Sequence, residues 1–426
     1  MTETKQAATP RRRAALAFIF VTVVLDMLAL GMIVPVLPKL VEDFVGGNTA
    51  RAAEIYGLFG TVWALMQFVF SPVLGALSDR YGRRPVILLS NLGLGLDYLV
   101  MALAPSLAWL FVGRVISGIT AASFSTAYAY ITDVTPPEKR AASFGMMSAA
   151  FGLGFVLGPA IGGVLGHIDP RLPFWVAAGF SLLNYLYGLL VLPESLPPER
   201  RERFSWRRAN PVGSITLLRS HRELLGLAFV NFISSIAHEA LPTTFVLYAM
   251  YRYGWNERTV GLAIAAVGVC SAIVGAGLVE PFVARLGERR VMLLGLVFGI
   301  AGFTVYGLAS TGAIFWVALP INALWGLSAP PMQGMMTRRV SPSEQGQLQG
   351  ALSSLRGVAF MIGPMLFTSV FASFIGANRE WHLPGAPYLL AALLLVAAMY
   401  VAWRVTRPRL TEPVPGFATI AADSSN

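Results

Sequence analysis

Gly75-Ala76-Leu77-Ser78-Asp79-Arg80-Tyr81-Gly82-Arg83-Arg84-Pro85 is a short charged segment between two long apolar runs, 54–77 and 85–104. A helix that spans a membrane needs about 20 mostly apolar residues, and both runs reach that length. The segment is therefore typical of a tight loop at a membrane surface. Its two neighbours are predicted to be helices that cross the bilayer.

The composition extends this interpretation to the whole chain. Of the 426 residues, 55% are hydrophobic and 13% are charged, whereas soluble proteins average roughly 25% charged residues. The mean hydropathy is +0.64. These values exclude a disordered protein, a secreted disulfide scaffold and most soluble enzymes. The single cysteine, Cys270, excludes an intramolecular disulfide, and the four scattered histidines lack metal-ligand spacing. We expect no metal and no cofactor, and we do not expect an enzyme.

Further apolar runs follow along the chain and give twelve in total. They lie at 14–37, 54–77, 85–104, 107–131, 141–166, 172–192, 223–250, 258–284, 290–309, 312–337, 346–375 and 386–405. The first run is long and lacks a small-residue cleavage site, so we expect it to remain as a helix and not to be removed as a signal peptide. The sequence thus predicts an all-α membrane protein with twelve transmembrane helices.

The positive charges divide unequally between the two sides of such a bundle. The termini and every second connecting segment carry 24 of the 32 Lys and Arg residues, whereas the alternate segments carry 6. Short cytoplasmic loops are enriched in Lys and Arg, so both termini are expected in the cytoplasm. The net charge of +10 is explained by this topology and by contact with anionic lipid. A nucleic-acid partner is therefore not expected.

The second half of the chain repeats features of the first half at a constant offset. Arg80 and Gly82 match Arg285 and Gly287, and Gly158-Pro159 matches Gly363-Pro364, always 205 positions later. This offset predicts two six-helix bundles, which resemble each other by duplication. The expected division is 1–192 for the first bundle, 193–222 for a cytoplasmic linker, 223–405 for the second bundle and 406–426 for a cytoplasmic tail.

Several motifs resemble those of a known family. The loop Gly75–Pro85 resembles the signature loop of the major facilitator superfamily, and Arg114-Val115-Ile116-Ser117-Gly118 resembles its span-four arginine motif. Gly154–Gly163 resembles the span-five motif associated with antiporters. Leu25-Asp26 resembles the span-one motif of the twelve-helix drug/proton antiporters. Three further matches are closer, and the motifs together resemble the bacterial tetracycline/proton antiporters; the three are Ala64-Leu65-Met66-Gln67, Leu96-Asp97-Tyr98-Leu99 and Tyr253-Gly254-Trp255-Asn256.

The resemblance covers essentially the whole chain and implies the major facilitator fold, two pseudo-symmetric bundles with the substrate site between them. One departure concerns the second half. Ser271 stands where the tetracycline antiporters have a span-eight histidine, and Gly275 stands in place of a nearby glutamine. The identity of the substrate therefore stays open at this point.

Five ionisable residues inside predicted spans are candidates for proton coupling: Asp26, Asp97, Arg114, His238 and Glu239. Charged groups inside a membrane are costly and usually functional, and a buried carboxyl group can hold a proton near neutral pH. Asp26 lies about 18 Å deep along its helix. The alternatives are structural: a permanent ion pair of Asp26 with Arg114, a packing role for Asp97, and an outer network for His238 and Glu239, whose side chains would point about 100° apart on a helix.

Six residues are candidates for substrate binding, because sites for small amphiphiles combine apolar and aromatic walls with a few polar groups. They are Gln67, Asn231, Phe232, Trp325, Gln333 and Arg356. For each of them, ordinary helix packing is the alternative. Arg356 adds a cation to span eleven, which favours a substrate with an anionic group unless Arg356 pairs with Glu239 or Asp26.

The last group of candidates is expected to control gating. The resemblance implies that Asp79 meets the N-terminal end of span eleven, where the helix dipole favours a carboxylate, and that Arg83 bridges to Asp133. Contacts of this kind join the halves in one state and break in the other. Arg80, Gly158 and Pro159 complete the group, although Gly158 is also explained by close helix packing.

These observations predict a proton-coupled efflux antiporter of small organic molecules, tetracycline-like or multidrug, that works by alternating access. The alternative is an organic-anion transporter, possibly a proton symporter. We expect a multi-pass monomer in the inner membrane of a bacterium, with protons, a small organic substrate and membrane lipid as its partners.

Overall fold

The computed structural model describes residues 10–121, 124–136, 139–201, 222–341, 344–377 and 379–407. Most of the predicted linker and tail, 202–221 and 408–426, lies outside these residues. Within them, twelve helical segments are long and apolar enough to cross a membrane. Eleven begin and end within a few residues of the predicted runs, and the first extends further, to Phe44. The expected all-α fold of twelve transmembrane helices is confirmed.

The helices of the first half have the following bounds. Span one comprises Pro10–Ile33 and Leu37–Phe44, span two Thr49–Tyr81, span three Arg83–Leu103, span four Leu107–Ala121 and Phe124–Val134, span five Arg140–Ile168, and span six Leu172–Val191. A short 3₁₀ turn, Pro198–Arg200, follows span six.

The helices of the second half include three with internal irregularities. Span seven comprises the helices Arg222–His238 and Ala240–Tyr253. Span eight comprises Glu257–Ile273, the π-helical segment Val274–Leu278 and Val279–Leu286, and span ten comprises Gly312–Ala323, the 3₁₀ segment Leu324–Leu327 and Ala329–Thr337. Spans nine, eleven and twelve are the single helices Glu288–Leu308, Gln345–Ile375 and Ala386–Val405.

The loops between spans two and three and between spans eight and nine have the same backbone. Gly82 has φ +103° and Gly287 has φ +78°, a region that L side chains rarely adopt. Each glycine ends one helix and begins the next within a single residue. The two loops, which are related by the offset of 205, therefore share a local backbone conformation as well as residue types.

The two halves contact each other mainly through two helix pairs, spans two with eleven and spans five with eight. Small residues allow these helices to approach closely. On one side Gly57 lies against Thr368 and Gly60 against Pro364, and Thr61 Oγ1 donates a hydrogen bond of 3.0 Å to the Met361 carbonyl oxygen. On the other side Gly163 lies against Gly261, and Gly268 lies against Val156.

These contacts all lie away from the end of the bundle that carries the charged loops 79–84 and 285–290, which we call the basic end. Near the basic end, a Cβ atom added to Gly75, Gly145 or Gly346 would meet no described atom within 4 Å. The four contacting helices therefore separate toward the basic end. The structure is closed at the opposite end and open at the basic end.

Candidate functional site

Asp26 lies inside the first bundle, between spans one and six. It is buried, with 6% of its surface exposed. The Asn184 amide Nδ2 donates to Asp26 Oδ1 at 3.1 Å, and Thr22 Oγ1 donates to Asn184 Oδ1 at 3.0 Å. Asp26 thus has an amide as its hydrogen-bond partner. The ion pair that the structure describes for Arg114 is made with Asp97 and not with Asp26. Asn184 was not among the sequence candidates, although an isolated amide in a membrane span needs a partner.

Asp97 and Arg114 form that ion pair, between spans three and four. Arg114 Nη2 lies 3.8 Å from Asp97 Oδ2, and both side chains are buried. The same Nη2 atom lies 3.3 Å from Met101 Sδ. Gly113 makes room for the pair, since an added Cβ would lie 2.7 Å from Asp97 Oδ1. The predicted pairing of Arg114 with a carboxylate is therefore present, but the carboxylate is Asp97.

His238 and Glu239 lie at an interruption of span seven, a feature that the sequence analysis did not predict. The first helix of the span ends at His238 and the second begins at Ala240. The expectation that both residues sit on one continuous helix was wrong. The interruption brings His238 Nδ1 within 3.7 Å of Glu239 Oε1. The His238 side chain is 59% exposed and the Glu239 side chain only 13%.

The second interruption, in span ten, faces the first. Trp325 belongs to the 3₁₀ segment Leu324–Leu327, and its ring lies 6.0 Å from the His238 ring, centroid to centroid. Phe303 of span nine packs edge-on against Trp325 at 5.5 Å. Irregular backbone at membrane depth is tolerated where it is buried in protein or lines a cavity. The two interruptions therefore form one irregular region in the second bundle.

Span eleven contributes Gly363 and Arg356 to this region. Gly363 packs directly against the Glu239 side chain. Arg356, Phe360 and Gly363 are spaced by four and three residues, so they share one face of the helix. Arg356 is exposed and lies about 10 Å along the helix axis from the Glu239 contact. Within the described part of the chain, no ion-pair partner of Arg356 is present.

The other substrate-site candidates are spread along the bundle. Asn231 and Phe232 are half-buried on span seven, and Gln67 is half-buried on span two. Gln333 is exposed near the basic end of span ten, where its Nε2 donates to Gln349 Oε1 at 3.3 Å. The structure brings Trp325 close to His238 but places Gln333 two helical turns away from Trp325.

The gating candidates of the first half form a connected group at the basic end. Arg83 Nη1 contacts Asp79 Oδ1 at 2.5 Å, and Arg83 Nε contacts Asp133 Oδ2 at 3.2 Å. The predicted bridge from Arg83 to Asp133 is therefore present. Glu194, which the sequence analysis assigned only to the linker, accepts backbone N–H bonds from Arg83 at 2.9 Å and Arg84 at 3.2 Å. It caps the start of span three.

Asp79 has a different partner from the one expected. The structure pairs its carboxylate with Arg83 of the same loop, whereas the sequence analysis placed it at the start of span eleven. The difference follows from the opening at the basic end, which separates spans two and eleven there. Arg80 stays exposed, with its guanidinium 5.0 Å above the centre of the Tyr81 ring.

Gly158 and Pro159 lie at contacts between helices of span five and two neighbours. Gly158 packs backbone to backbone against Gly31 of span one, and an added Cβ would lie 2.8 Å from the Gly31 Cα atom. The Pro159 carbonyl oxygen lies against Gly261 of span eight. Span five therefore joins its own bundle and the other bundle through the same short segment, which is what a gating element requires.

The second half carries a bridge equivalent to Arg83–Asp133, with the charges exchanged. Glu288 follows Gly287 as Arg83 follows Gly82, and Arg338 ends span ten as Asp133 ends span four. Both guanidinium nitrogens of Arg338 contact the two Glu288 carboxylate oxygens. The pairs are again related by 205 positions. Each bundle thus carries an equivalent ion pair at its basic end, with the positions of the acid and the base exchanged.

Comparison with known proteins agrees with this arrangement. Residues 19–364 and 227–422 match the sequence model of the Major Facilitator Superfamily. The class C tetracycline resistance protein of Escherichia coli is 38% identical over 381 residues, which cover 88% of this chain and 95% of that protein. The class G tetracycline resistance protein of Vibrio anguillarum is also 38% identical, over 84% of this chain and 90% of that protein.

Among solved structures, the human organic anion transporter MFSD10 (TETRAN) superposes with a TM-score of 0.67. It is 24% identical, and the match covers 92% of this chain and 100% of that chain. At this identity the likeness concerns the fold.

Proposed function

We propose, from the premise that the chain belongs to the Major Facilitator Superfamily, that this multi-pass membrane transporter is a proton-coupled efflux antiporter of drug-like organic molecules. Its relatives at 34–38% identity are tetracycline resistance proteins, which favours tetracycline-like substrates. The observation that carries the proton coupling is Asp26, a buried carboxyl group held by the Asn184 amide. An amide partner leaves the Asp26 charge uncompensated, so the group can change its protonation state.

The transport cycle follows from the opening at the basic end. If that end faces the cytoplasm, as the distribution of Lys and Arg favours, the structure is the state that admits substrate from inside the cell. Closure of the basic end and opening of the opposite end would release substrate outward and expose the carboxyl groups to external protons. Protonation of Asp26 removes a buried charge and so lowers the cost of closing the cavity around it.

The domain division is part of the same proposal. The bundles 1–192 and 223–405 would rock as two bodies about the contacts between spans two and eleven and between spans five and eight. The linker 193–222 and the tail 406–426 would remain on the cytoplasmic side. The inner membrane of a bacterium is the proposed location, and a single chain contains both bundles, which favours a working monomer.

Tetracycline flux driven by a pH gradient in proteoliposomes tests the proposal. We expect Asp26→Asn to abolish gradient-driven flux, because the amide has the same shape but cannot carry the proton. Asp43→Asn is the matched control, since Asp43 is an exposed carboxylate at the opposite end. It should retain the flux. Undiminished coupling in Asp26→Asn, with the protein folded and inserted, would remove Asp26 from the proton path.

One observation favours the second candidate, an organic-anion transporter. Arg356 is exposed on the face of span eleven that meets Glu239, and no described carboxylate neutralises it. A cation near a low-dielectric cavity attracts anions. The relatives with the higher identities are tetracycline resistance proteins, so the drug antiporter remains the leading proposal.

A further inference from the structure

Span twelve has one face that its own bundle leaves uncovered. The opposite face packs mainly against spans seven and nine, and its buried residues include Ala391, Leu395, Ala398 and Ala402. The uncovered face carries exposed residues at helical spacing, namely Leu393, Val396, Tyr400 and Trp403, with Arg404 beside the last of them. Because span twelve packs mainly within its own bundle, this face points away from the cavity between the bundles and toward the surrounding lipid.

The uncovered face changes from apolar to basic along its length. Leu393 and Val396 lie in the middle of the span, whereas Arg404 lies in its last turn and Arg407 just beyond it. The distance from Leu393 to Arg404 along the helix axis is about 16 Å. Half of a hydrocarbon core about 30 Å thick is close to this length. The face therefore matches one lipid leaflet, with apolar side chains at the depth of the acyl chains and arginines at the depth of the headgroups.

Aromatic side chains hold both of these arginines in place. Arg404 Nε and Nη2 donate to the Tyr400 hydroxyl oxygen at 3.0 and 2.8 Å. The Arg407 guanidinium lies 4.3 Å above the centre of the Trp403 ring, within the range of a cation–π contact. Both arginines are exposed, and neither has a carboxylate partner within the described part of the chain. Guanidinium groups that are positioned in this way bind a phosphate through several N–H donors.

Span nine brings further positive charge to the same end of span twelve. Arg289 Nε donates at 3.2 Å to the hydroxyl oxygen of Thr406, the residue that follows the last turn of span twelve. Arg290, the next residue of span nine, is exposed. A phosphate held at this end would therefore lie next to two helices of the second bundle.

Span six provides an internal comparison, because it is the last helix of the first bundle as span twelve is of the second. Both spans have 20 residues and a proline at the second position. At the positions that correspond to the aromatic and arginine residues of span twelve, span six has the exposed residues Leu186, Leu189 and Leu190. The repeated fold therefore does not require arginines or aromatic rings on this face, and another property of the second bundle must explain them.

We infer that Arg404 and Arg407, with Arg289 beside them, bind the phosphate headgroup of an anionic phospholipid in the leaflet at the basic end. We call this the lipid site. The acyl chains of the lipid would lie along Leu393 and Val396, which a free phosphate ion would leave uncovered. A lipid bound there would link span nine to span twelve and stabilise the second bundle. This inference goes beyond the proposed function, because it does not depend on the substrate that is transported.

Lipid titration of the purified full-length protein in a neutral detergent, followed by native mass spectrometry, tests the lipid site. The two probes are dioleoylphosphatidylglycerol and dioleoylphosphatidylcholine, which have the same acyl chains and differ in headgroup charge. We expect the wild type to bind phosphatidylglycerol more tightly. Arg404→Gln and Arg407→Gln should each weaken phosphatidylglycerol binding about fivefold, the contribution of one arginine at an anionic lipid surface, and leave phosphatidylcholine binding unchanged. The double variant should lose about 25-fold if the two effects add.

Two controls separate a defined site from general attraction between charges. The double change Arg252→Gln and Arg258→Gln removes the same charge from exposed positions at the opposite end, and it should leave phosphatidylglycerol binding unchanged. Inorganic phosphate should not displace phosphatidylglycerol, because it has no acyl chains to contact the apolar half of the face.

Thermal unfolding separates the lipid site from a role of the arginines in the fold itself. Cations in the last turn of a helix also stabilise it through the helix dipole. We expect phosphatidylglycerol to raise the melting temperature of the wild type, since it binds the folded state. The double variant Arg404→Gln and Arg407→Gln should keep the wild-type melting temperature without lipid and lose this rise.

Four results would overturn the lipid site. They are equal affinity of the wild type for the two lipids, the same weakening in the opposite-end control, displacement of the lipid by inorganic phosphate, and a lower lipid-free melting temperature with unchanged phosphatidylglycerol affinity. The last result would assign the arginines to the stability of the helix end. A loss of phosphatidylglycerol affinity that is confined to the Arg404 and Arg407 variants would support the site, whatever substrate the protein transports.

Discussion

Arg356 and Arg114 are the two arginines deep inside the predicted spans, and their environments differ. Arg114 is buried and pairs with Asp97, whereas Arg356 is exposed and has no ion-pair partner among the described residues. An isolated charge of this kind acts on whatever enters the cavity. At about 4 Å its attraction for an anion is on the order of 4 kcal/mol at an effective dielectric of 20, before desolvation reduces it.

We predict that Arg356→Ala weakens binding of anionic substrates at least about tenfold more than binding of neutral ones, which corresponds to about 1.4 kcal/mol. The alanine removes the charge, and the loss of side-chain contact should affect both classes equally. A competition assay with matched anionic and neutral ligands measures the difference. If both classes weaken to the same extent, Arg356 is a structural brace and the anion preference is wrong.

At the residue scale, the sequence predicted contacts between opposite charges better than contacts between a charge and a neutral group. The resemblance to the major facilitator superfamily implied the contact of Arg83 with Asp133, and the structure contains it at 3.2 Å. Asn184 and Glu194 carry no such signal. Asn184 is one amide in an apolar run, and its role depends on span six packing against Asp26. Glu194 acts through backbone N–H groups that any residue could supply.

The two interfaces between the halves have the same helix register. The residue numbers of the pairs Gly60–Pro364, Phe68–Gly357, Gly163–Gly261 and Val156–Gly268 add up to 424 or 425 in each case. Antiparallel helices that keep one register would continue this pairing toward the basic end. Asp79 then meets Gln345 or Gly346, at the start of span eleven, once the basic end closes. We expect the predicted contact of Asp79 in the closed state.

The same register brings Glu280 of span eight next to span five in that state. By the same sum of residue numbers, Glu280 would face position 144 or 145 of span five, which is one helical turn from Arg140. We predict that Glu280→Lys or Arg140→Glu alone slows transport at least about fivefold, because each places like charges together when the basic end closes. The double exchange should restore most of the rate. Steady-state flux of the four proteins measures this.

Glu288→Lys provides the comparison for that experiment. Its carboxylate already pairs with Arg338 inside one bundle, so Arg140→Glu should not rescue it. Failure of the double exchange to recover any activity, with all proteins folded, would show that Glu280 and Arg140 do not meet.

The elements themselves were predictable except where they are interrupted. Apolar length determines a span, so the twelve runs correspond to the twelve helices. The interruptions depend on tertiary packing around particular residues. The repeat offset contains a usable signal, because the first helix of span one ends at Ile33 and that of span seven at His238, 205 positions later. Pro35 lies at the interruption of span one, whereas span seven has no proline at the corresponding position.

At the scale of the whole molecule, the ion pairs described at the basic end stay within each bundle. Asp79 and Asp133 pair with Arg83 in the first bundle, and Glu288 pairs with Arg338 in the second. Closure would exchange part of these contacts for contacts between the bundles. Because the competing states share residues, small changes in one pair alter the balance of the two states.

We predict that Asp79→Asn slows turnover much more than it weakens substrate binding. Asp79 lies at the basic end and stabilises a conformation, and it does not contact the central cavity. Equilibrium affinity and transport rate should be measured on the same preparation, with Asp43→Asn as the control. Equal losses of affinity and rate would contradict a gating role for Asp79.

In the proposed cycle, the glycine contacts between the halves would act as the pivot about which the bundles rotate. Asp79 is 19 residues from Gly60, so its arm is about 28 Å long, and each degree of rotation at the pivot moves the Asp79 end by about 0.5 Å. Gly60, Gly163 and Gly261 have no side chains that would resist such a rotation. A displacement at the pivot too small to break its own packing would thus be amplified into the opening and closing of a passage wide enough for the proposed substrate.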